Sequence, residues 1–295
     1  MTLTWAWNLR TIHSFLSFPL LFILFSMEKS HKLDVRHVMY DGYQGHCRDL
    51  EDLTDLHAAI EYIADSIGRE LVNPPLLFPY FNGKTPEDKG ISGMGVMQGG
   101  HVTVHSFSDR TRRCVFADLA FVEGSGTASN SGFRRTGRRP PLGSLLRDSM
   151  KEEFRTKEHE TFTREKTPPT DTNEIDHSFG PHLTMEGVLK QDQRRLDWLY
   201  GFMEDLPTAI KMTPVTTPYL SRTTNWLDGV LLIAESHIAL HVRRGDGRFY
   251  FDIFSCKSFE PEAILNQIRV GGLTFDEDTV RLTARGKKFP RPEAQ

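Results

Sequence analysis

The sequence predicts an α+β protein, a four-layer α-β-β-α sandwich built from two duplicated halves, each a mainly antiparallel sheet with helices on its outer face. Three observations carry this prediction. One order of elements, a strand, an amphipathic helix and a strand pair, occurs in residues 34–124 and again in residues 177–295. Each helix has a single apolar stripe, which a sheet has to cover. Short glycine-containing turns join the strand pairs, and such turns favour antiparallel pairing.

The first half begins with a short strand near residue 36 and continues into an amphipathic helix. Apolar residues recur in this helix at intervals of three and four and form one stripe: Leu50, Leu53, Leu56, Ile60, Ile63 and Ile67. Gly68 follows the stripe and is expected to cap the helix. A proline-rich turn over residues 73–80 then leads into residues 90–109, which are predicted to form a strand, a turn and a strand.

The second half repeats this order. Residues 181–187 match residues 36–42 position by position, and the next helix has its own stripe: Leu196, Leu199, Met203, Leu206 and Ile210. Pro214 and Pro218 reproduce the spacing of Pro75 and Pro79. Three strands are then predicted over residues 230–234, 238–242 and 249–254, the last two as a hairpin around Asp246.

The rest of the chain has no comparable pattern. Residues 125–176 are rich in Gly, Ser, Thr, Pro and charge, which predicts a disordered linker, and we interpret the arginines at 134–139 as part of it rather than as a nucleic-acid site. Residues 1–33 are an N-terminal extension. Its apolar run over residues 15–25 resembles the core of a signal peptide but is too short to span a membrane. A targeting segment and an over-extended start, with Met27 as the initiator, are both open.

Composition describes an ordinary soluble globular protein. Charged residues make up 25% of the chain, hydrophobic residues 38%, and the formal charge is -3, so nothing demands nucleic acid or a membrane as a partner of the core. Cys47, Cys114 and Cys256 are too few and too scattered for a disulfide framework or a zinc site, and no metal site is predicted. A reducing, cytoplasmic location is the simplest expectation.

A serine, two histidines and a cysteine converge on the predicted sheet of the second half: Ser236, His237, His241 and Cys256. By residue type alone, an ordinary half-buried hairpin explains them equally well. Their order, however, resembles the pyruvoyl-dependent S-adenosylmethionine decarboxylases, and above all the short bacterial form. That family has a Glu-Ser-His self-cleavage site, here beginning at Glu235, then a histidine five residues after the serine and a cysteine fifteen residues beyond it.

The two halves differ at these positions in a complementary way. The aligned pairs are Ser92 with Asp228, Gly100 with Ser236, His105 with His241, and Ala120 with Cys256. The family also carries a processing serine eight residues before the cleavage serine, and only the first half has it. Fused members of the family build one site from two facing sheets. The resemblance therefore implies a composite site with Ser236 and Cys256 from the second half and Ser92 and His105 from the first.

The resemblance also implies a mechanism. Decarboxylation of an amino acid needs an electron sink that no ordinary side chain provides. Attack of the Ser236 hydroxyl on the Glu235 carbonyl, followed by chain cleavage, would leave a covalent pyruvoyl group as that sink. Ser92 and His105 would assist the cleavage, and Cys256 would return a proton to the product. Two alternatives stay open: Cys256 as a buried structural thiol, and His241 as either the processing histidine or an unused twin of His105.

The substrate is expected to be a small amino-acid-type molecule. Asp109 falls where the family places a ribose-binding carboxylate, and Asp228 and Glu186 are further candidate substrate-binding residues. The aromatic pair that holds adenine in the family falls on Pro86 and Met185, which cannot stack. The nearby aromatic residues that would replace the pair are Phe78, Tyr80 and Phe81.

S-adenosylmethionine, decarboxylated for spermidine synthesis, is the first expectation. Arginine or ornithine is the alternative within the family, since Asp228 and Asp109 could hold a basic side chain. A catalytically dead paralogue that regulates a partner is the alternative from another class. A homodimer is left open, because the duplication already supplies what a two-fold dimer supplies in the short form.

Overall fold

The computed structural model of the protein describes residues 32–42, 50–81, 89–108, 113–125, 178–234 and 236–286. The first half forms an antiparallel sheet in the order β1-β5-β4-β3-β2. Its strands are β1 Val35–Gly42, β2 Leu76–Tyr80, β3 Gly90–Met97, β4 Gly100–Phe107 and β5 Cys114–Val122. We refer to it as the first sheet.

The second half forms a larger antiparallel sheet, the second sheet, in the order β11-β6-β10-β9-β8-β7, with β12 also paired to β6. Its strands are β6 Gly180–Leu189, β7 Tyr219–Arg222, β8 Trp226–Ile233, β9 Ser236–Arg243, β10 Arg248–Ser255, β11 Leu273–Phe275 and β12 Arg281–Arg285. The predicted three strands of residues 228–256 are thus β8, β9 and β10. The turn around Asp246 joins β9 and β10 as predicted.

Three α-helices in the described part of the chain cover the outer faces. They are α1 Leu53–Ser66, α2 Leu196–Ala209 and α3 Pro261–Val270; short 3-10 turns lie at Gln191–Gln193 and Glu277–Thr279. Helix α1 packs its apolar stripe on the first sheet, and α2 and α3 pack on the second sheet. The inner faces of the sheets meet, with β3 against β8 and β4 against β9. This is the α-β-β-α sandwich that the sequence predicts.

Alternation along the strands separates two kinds of core. Successive side chains of a strand point to opposite faces of the sheet. In β9, Ile238, Leu240 and Val242 lie in the apolar core beneath α2 and α3, so His237 and His241 point the other way, toward the first sheet. The outer cores are therefore apolar, whereas the space between the sheets holds polar side chains.

Several elements differ from the expectation. Leu53 does not belong to the buried stripe of α1: it is the first helical residue and 43% exposed, while Leu50 is buried ahead of the helix. The predicted cap at Gly68 is confirmed by its φ of +69°. Pro79 lies in strand β2 rather than in a turn, which is tolerated because β2 is an edge strand. Strands β2, β5, β7, β11 and β12 and helix α3 were not predicted.

Some predictions fall outside the described residues. These concern residues 1–31, Cys47, Pro86, Asp109, Glu235 and residues 126–177. Within the part that is described, no helix is both long and apolar enough to cross a membrane.

Candidate active site

A layer of buried polar side chains lies between the two sheets. Every second residue of β4 and alternate positions of β9 contribute to it, because the period of two in a strand brings them to one face. Each of its members is at most 1% exposed: His101, Thr103, His105 and Asp118 from the first sheet, and His182, Asp228, His237, His241 and Asp252 from the second. We call this set the inter-sheet layer.

One hydrogen-bonded row in this layer crosses from the first sheet to the second. Ser92 Oγ lies 2.8 Å from His105 Nδ1, and His105 Nε2 lies 2.9 Å from His237 Nδ1. The two imidazole rings are nearly parallel, with centroids 5.1 Å apart and an angle of 8° between their planes. We call this the Ser92 row. It links the predicted processing serine and histidine of the first half to the residue that follows Ser236.

A second row runs in the opposite direction. Asp228 Oδ1 lies 2.9 Å from His241 Nδ1, and His241 Nε2 lies 2.8 Å from His101 Nδ1. These rings also have centroids 5.1 Å apart and an angle of 8°. Each member of this Asp228 row is the aligned counterpart of a member of the Ser92 row. The layer thus has an approximate two-fold symmetry, which supports the duplication.

Asp252 lies where the two rows end. Its carboxylate oxygens are 3.4 Å from His101 Nε2 and 3.4 Å from His237 Nε2, and His182 Nε2 is 4.0 Å away. These distances are longer than those of good hydrogen bonds. Both Asp252 oxygens and the Nε2 atoms of His101, His182 and His237 are buried without a hydrogen-bond partner.

An arginine of the second sheet forms ion pairs with two aspartates of the first sheet. Arg285, at the end of β12, donates to Asp118 and to Asp41 of the first sheet, each at 2.6 Å. His37 Nε2 lies 3.3 Å from the same Asp118 oxygen, and the Tyr250 hydroxyl donates to His37 Nδ1 at 2.6 Å. Burial alone would raise the pKa of Asp118, but the Arg285 charge and the His37 hydrogen bond outweigh it and lower that pKa well below its ordinary value.

Burial determines the protonation of most histidines in the layer. Because the charged form is poorly solvated there, burial lowers the pKa of His101 to about 3 and that of His241 to about 4. It also lowers the pKa of His105 and His182 well below the usual value, so these four side chains are neutral at pH 7. Burial raises the pKa of Asp228 well above its ordinary value.

Ser236 occupies an unusual position at the start of β9. Its φ is +146°, a region that side-chain-bearing residues rarely adopt, and its hydroxyl is buried without a hydrogen-bond partner. A narrow cleft of about 10 Å³ lies beside this turn, and Ser92 lines it together with Ile233, Ala234 and Tyr80. The cleft therefore brings Ser92, the predicted processing serine, beside the segment that precedes Ser236.

Cys256 follows β10 directly, and Ser255, its neighbour, pairs with Ser236 in the sheet. Cys256 is partly buried and packs on an aromatic cluster between the sheets, formed by Phe107, Cys114, Phe116, Phe179 and Phe254. The cysteine and the predicted cleavage serine thus lie at the same end of two adjacent strands.

The remaining predicted residues lie elsewhere. Asp228 is completely buried, and its Oδ1 accepts hydrogen bonds from His241 and from the Gly99 backbone. The Glu186 carboxylate accepts from the Leu33 backbone at 3.1 Å. Met185 faces the outer core beneath the helices, not the inter-sheet layer. Asp109 and Glu235 lie outside the described residues.

Sequence reasoning missed much of the layer. The residues it did not single out are His37, His101, Asp118, His182, Asp252 and Arg285. A signal was available: His101, Thr103 and His105 alternate along one strand with apolar residues, which predicts a polar face opposite an apolar one. That face is buried only because the second sheet covers it, and no local pattern in the sequence shows which sheet packs on which.

The comparisons with known proteins agree with the family resemblance of the Glu-Ser-His motif at Glu235, together with His241 and Cys256. Residues 183–285, which span β6 to β12 and include Ser236, His241 and Cys256, match the family model of S-adenosylmethionine decarboxylase. This confirms the family resemblance predicted from the sequence. No curated protein matches the chain significantly.

Two solved structures are similar to parts of the chain. The adenosylmethionine decarboxylase from Aquifex aeolicus is 17% identical over 40% of this chain and 99% of its own, with a TM-score of 0.34. The di-domain ARO/CYC StfQ of the steffimycin biosynthetic pathway is 9% identical over 77% of this chain and 86% of its own, with a TM-score of 0.14.

Proposed function

We propose that this chain, whose second half carries the S-adenosylmethionine decarboxylase pattern, is a self-processing, pyruvoyl-dependent decarboxylase cleaved between Glu235 and Ser236. The observation that carries the proposal is the state of Ser236: a buried hydroxyl without a hydrogen-bond partner, on a backbone with positive φ, beside a cleft lined by Ser92. A nucleophile held in an unfavourable backbone conformation is a feature of functional sites.

The residues around Ser236 fit the processing reaction. The Ser236 oxygen would form an ester with the Glu235 carbonyl carbon as the peptide C–N bond breaks and the nitrogen takes up a proton. Ser92 can donate a hydrogen bond to the developing oxyanion. His105, neutral at pH 7 because burial lowers its pKa, can accept the Ser236 α-proton in the elimination that splits the ester. Both groups come from the first half.

The elimination would leave residue 236 as dehydroalanine, whose imine tautomer takes up water and releases ammonia to give the pyruvoyl group. Its ketone would accept the electrons released when carbon dioxide leaves. Cys256 lies at the same end of the sheet and is proposed to return a proton to the substrate carbon. The aromatic cluster beneath it keeps water away from this end of the inter-sheet space. The cleft of about 10 Å³ holds one water molecule at most and no substrate, so we expect the substrate pocket to open on processing.

Among the described residues, the surroundings of the cleft favour S-adenosylmethionine over arginine or ornithine; Asp109, the other carboxylate that could pair with a basic substrate, lies outside them. A basic substrate needs a carboxylate to pair with. Asp228 is fully buried and held by His241 and Gly99, and Glu186 is held by Leu33, so neither is presented to the cleft. Tyr80 does line the cleft and is stacked on Phe78, which supplies the aromatic surface that Met185 does not. Spermidine synthesis is the corresponding role.

Gel electrophoresis of the purified protein tests the proposal. We expect two fragments, residues 1–235 and 236–295, with a blocked N-terminus on the smaller one by mass spectrometry, and a single uncut chain for Ser236→Ala. Cys256→Ala should be cleaved normally, yet its turnover should fall by ~10²–10⁴, the usual contribution of a positioned proton donor. A folded, uncut wild-type protein would instead favour a regulatory paralogue.

The substrate is tested separately. Carbon dioxide release should be measured from S-adenosylmethionine, arginine and ornithine at equal concentrations, with Ser236→Ala as the blank. Release from S-adenosylmethionine alone is expected. Release only from arginine or ornithine would overturn the substrate while leaving the processing chemistry in place.

A further inference from the structure

A second, different kind of site lies deeper in the inter-sheet layer. Five buried polar atoms without hydrogen-bond partners surround one point: both carboxylate oxygens of Asp252 and the Nε2 atoms of His101, His182 and His237. We propose that His101, His237 and Asp252 bind one divalent transition-metal ion, with Zn²⁺ as the ion of choice, and that this ion joins the two halves of the molecule.

The distances fit a metal centre better than they fit hydrogen bonds. The ligand atoms of His101, His237 and Asp252 all lie within 4.8 Å of one another, and each histidine Nε2 is 3.4 Å from a carboxylate oxygen. A tetrahedral Zn²⁺ with bonds of ~2.0–2.2 Å places its ligand atoms ~3.3–3.6 Å apart. A hydrogen bond would bring the same atoms closer, to ~2.7–3.2 Å.

The hydrogen-bond pattern leaves the lone pairs available. Asp228 Oδ1 accepts the Gly99 N–H and lies 2.9 Å from His241 Nδ1, and the metal-binding tautomer is the one in which His241 Nδ1–H donates to this oxygen. His241 Nε2 then has to accept from His101 Nδ1–H, which leaves a bare lone pair on His101 Nε2, directed at Asp252. In the Ser92 row, His237 Nδ1 lies 2.9 Å from His105 Nε2; in the tautomer with the hydrogen on His237 Nδ1, the Nε2 lone pair of His237 also faces Asp252. Histidine ligands of metals usually donate their other ring N–H to such a partner.

The charge of the Asp252 carboxylate also favours a metal ion at this point. Asp252 is completely buried, and in the described part of the chain no lysine or arginine pairs with it; its ion-pair contacts are histidines alone. Asp118, by contrast, has Arg285. A buried carboxylate without a lysine or arginine partner is costly. A divalent ion would neutralise it and satisfy the unpartnered atoms of Asp252, His101 and His237.

Neither of the two other nearby histidines is a ready fourth ligand. Arg285 donates to His182 Nδ1 at 3.3 Å, so the hydrogen of the neutral ring lies on Nε2, which faces the same carboxylate from 4.0 Å. Both nitrogens of His37 already bond to Asp118 and Tyr250. The site therefore has three protein ligands. Imidazole and carboxylate ligands suit Zn²⁺. The first sheet supplies His101, whereas the second supplies His237 and Asp252.

The test measures metal content of the full-length protein. After treatment with a chelator, the protein is mixed with ZnCl₂, desalted and analysed by mass spectrometry of the metal. We expect one equivalent per chain, and a rise in Tm of ~5–10 °C at a hundredfold excess of Zn²⁺ over Kd. Co²⁺ in place of Zn²⁺ should give the intense visible absorption of a tetrahedral centre.

Two variants and one control test whether His101 and Asp252 bind the metal ion. His101→Asn preserves a polar group at the Nδ1 position, toward His241, but removes the Nε2 ligand; Asp252→Asn is nearly isosteric. Both should lose the equivalent of Zn²⁺, and His57→Asn, at a partly exposed histidine of α1, should keep it. Ser236→Ala should bind as much Zn²⁺ as the wild type, so the metal site can be tested independently of chain cleavage. A wild-type protein that is folded by circular dichroism and holds no Zn²⁺, or variants that hold as much as wild type, would overturn the site.

Discussion

At the scale of single residues, Ser236 combines two features that a structural residue would not keep. Its hydroxyl is buried without a partner, which costs free energy. Its backbone has a φ of +146°, a conformation that costs a residue with a Cβ atom ~1–3 kcal/mol. The aligned residue of the first half is Gly100, which has no Cβ and no hydroxyl. We therefore expect glycine to be more stable than serine at position 236.

A comparison of two uncleavable variants tests this strain. Ser236→Ala keeps the Cβ at the positive φ, whereas Ser236→Gly removes it, so we expect Ser236→Gly to be more stable by ~1 kcal/mol despite the larger backbone entropy of glycine. Urea denaturation of the two proteins gives the difference. Equal stability, or a more stable alanine variant, would show that the backbone at 236 is not strained.

The site could be predicted only in part. Ser92, His105, Ser236 and Cys256 were predicted because a family motif fixes their order, and the structure brings Ser92 beside the Ser236 turn. His101 and Asp252 carry no such motif. Their significance depends on the contact of β4 with β9 and β10 across the two sheets, at sequence separations that no local pattern encodes.

At the scale of elements, the outer faces followed directly from the sequence. The stripes of α1 and α2 have a helical period, and Leu56, Ile60 and Ile63 in the first and Leu199, Met203 and Leu206 in the second lie in the outer cores. Some elements were missed because they are short or interrupted: β11 has three residues and β2 contains Pro79. Strand β5 was missed for another reason, since all nine of its residues are buried and its sequence has no regular alternation of polar and apolar residues.

Two glycines of the second half should respond oppositely to alanine. A Cβ at Gly180, at the start of β6, would overlap the Ser255 carbonyl and approach Cys256 Cα to 2.9 Å, so Gly180→Ala must displace the end of β10. Gly201, inside α2, has open space, so Gly201→Ala should stabilise by ~0.5–1 kcal/mol through helix propensity. We expect Gly180→Ala to lower Tm and Gly201→Ala to raise it. A stable Gly180→Ala protein would contradict the close approach of β6 to Cys256.

At the scale of the whole molecule, Arg285 connects the last strand of the second sheet to Asp41 of β1 and Asp118 of β5. Asp118 is completely buried, and burial without Arg285 would leave its charge uncompensated. Arg285→Ala should therefore destabilise the protein by ~3–5 kcal/mol in chemical denaturation. Arg243→Ala removes an exposed ion pair with Asp246 and should cost at most ~1 kcal/mol.

A double variant distinguishes the cause. Arg285→Met combined with Asp118→Leu removes both charges, and we expect it to recover most of the loss of Arg285→Ala, because a buried ion pair replaced by apolar groups is often neutral. If the double variant were no more stable than Arg285→Ala, the loss would come from packing rather than from the unpaired Asp118.

Because the inter-sheet layer has approximate two-fold symmetry, each half supplies a histidine that could serve in processing. His105 and His241 are aligned, equally buried and each bonded to a histidine of the opposite sheet. Their other partners differ: His105 bonds to Ser92, which lines the cleft beside the Ser236 turn, whereas His241 bonds to Asp228. Of these two histidines, only His105 is therefore bonded to Ser92, the proposed processing serine.

His105→Ala and His241→Ala form a matched pair, because both delete the same buried side chain from equivalent places. We expect cleavage of His105→Ala to slow by ~10²–10⁴, the contribution of a general base, and that of His241→Ala to stay near the wild-type rate. The rate is followed by gel electrophoresis of freshly refolded precursor, with circular dichroism to verify folding of each variant. Normal cleavage in His105→Ala together with blocked cleavage in His241→Ala would place the processing chemistry entirely in the second half and refute the composite site.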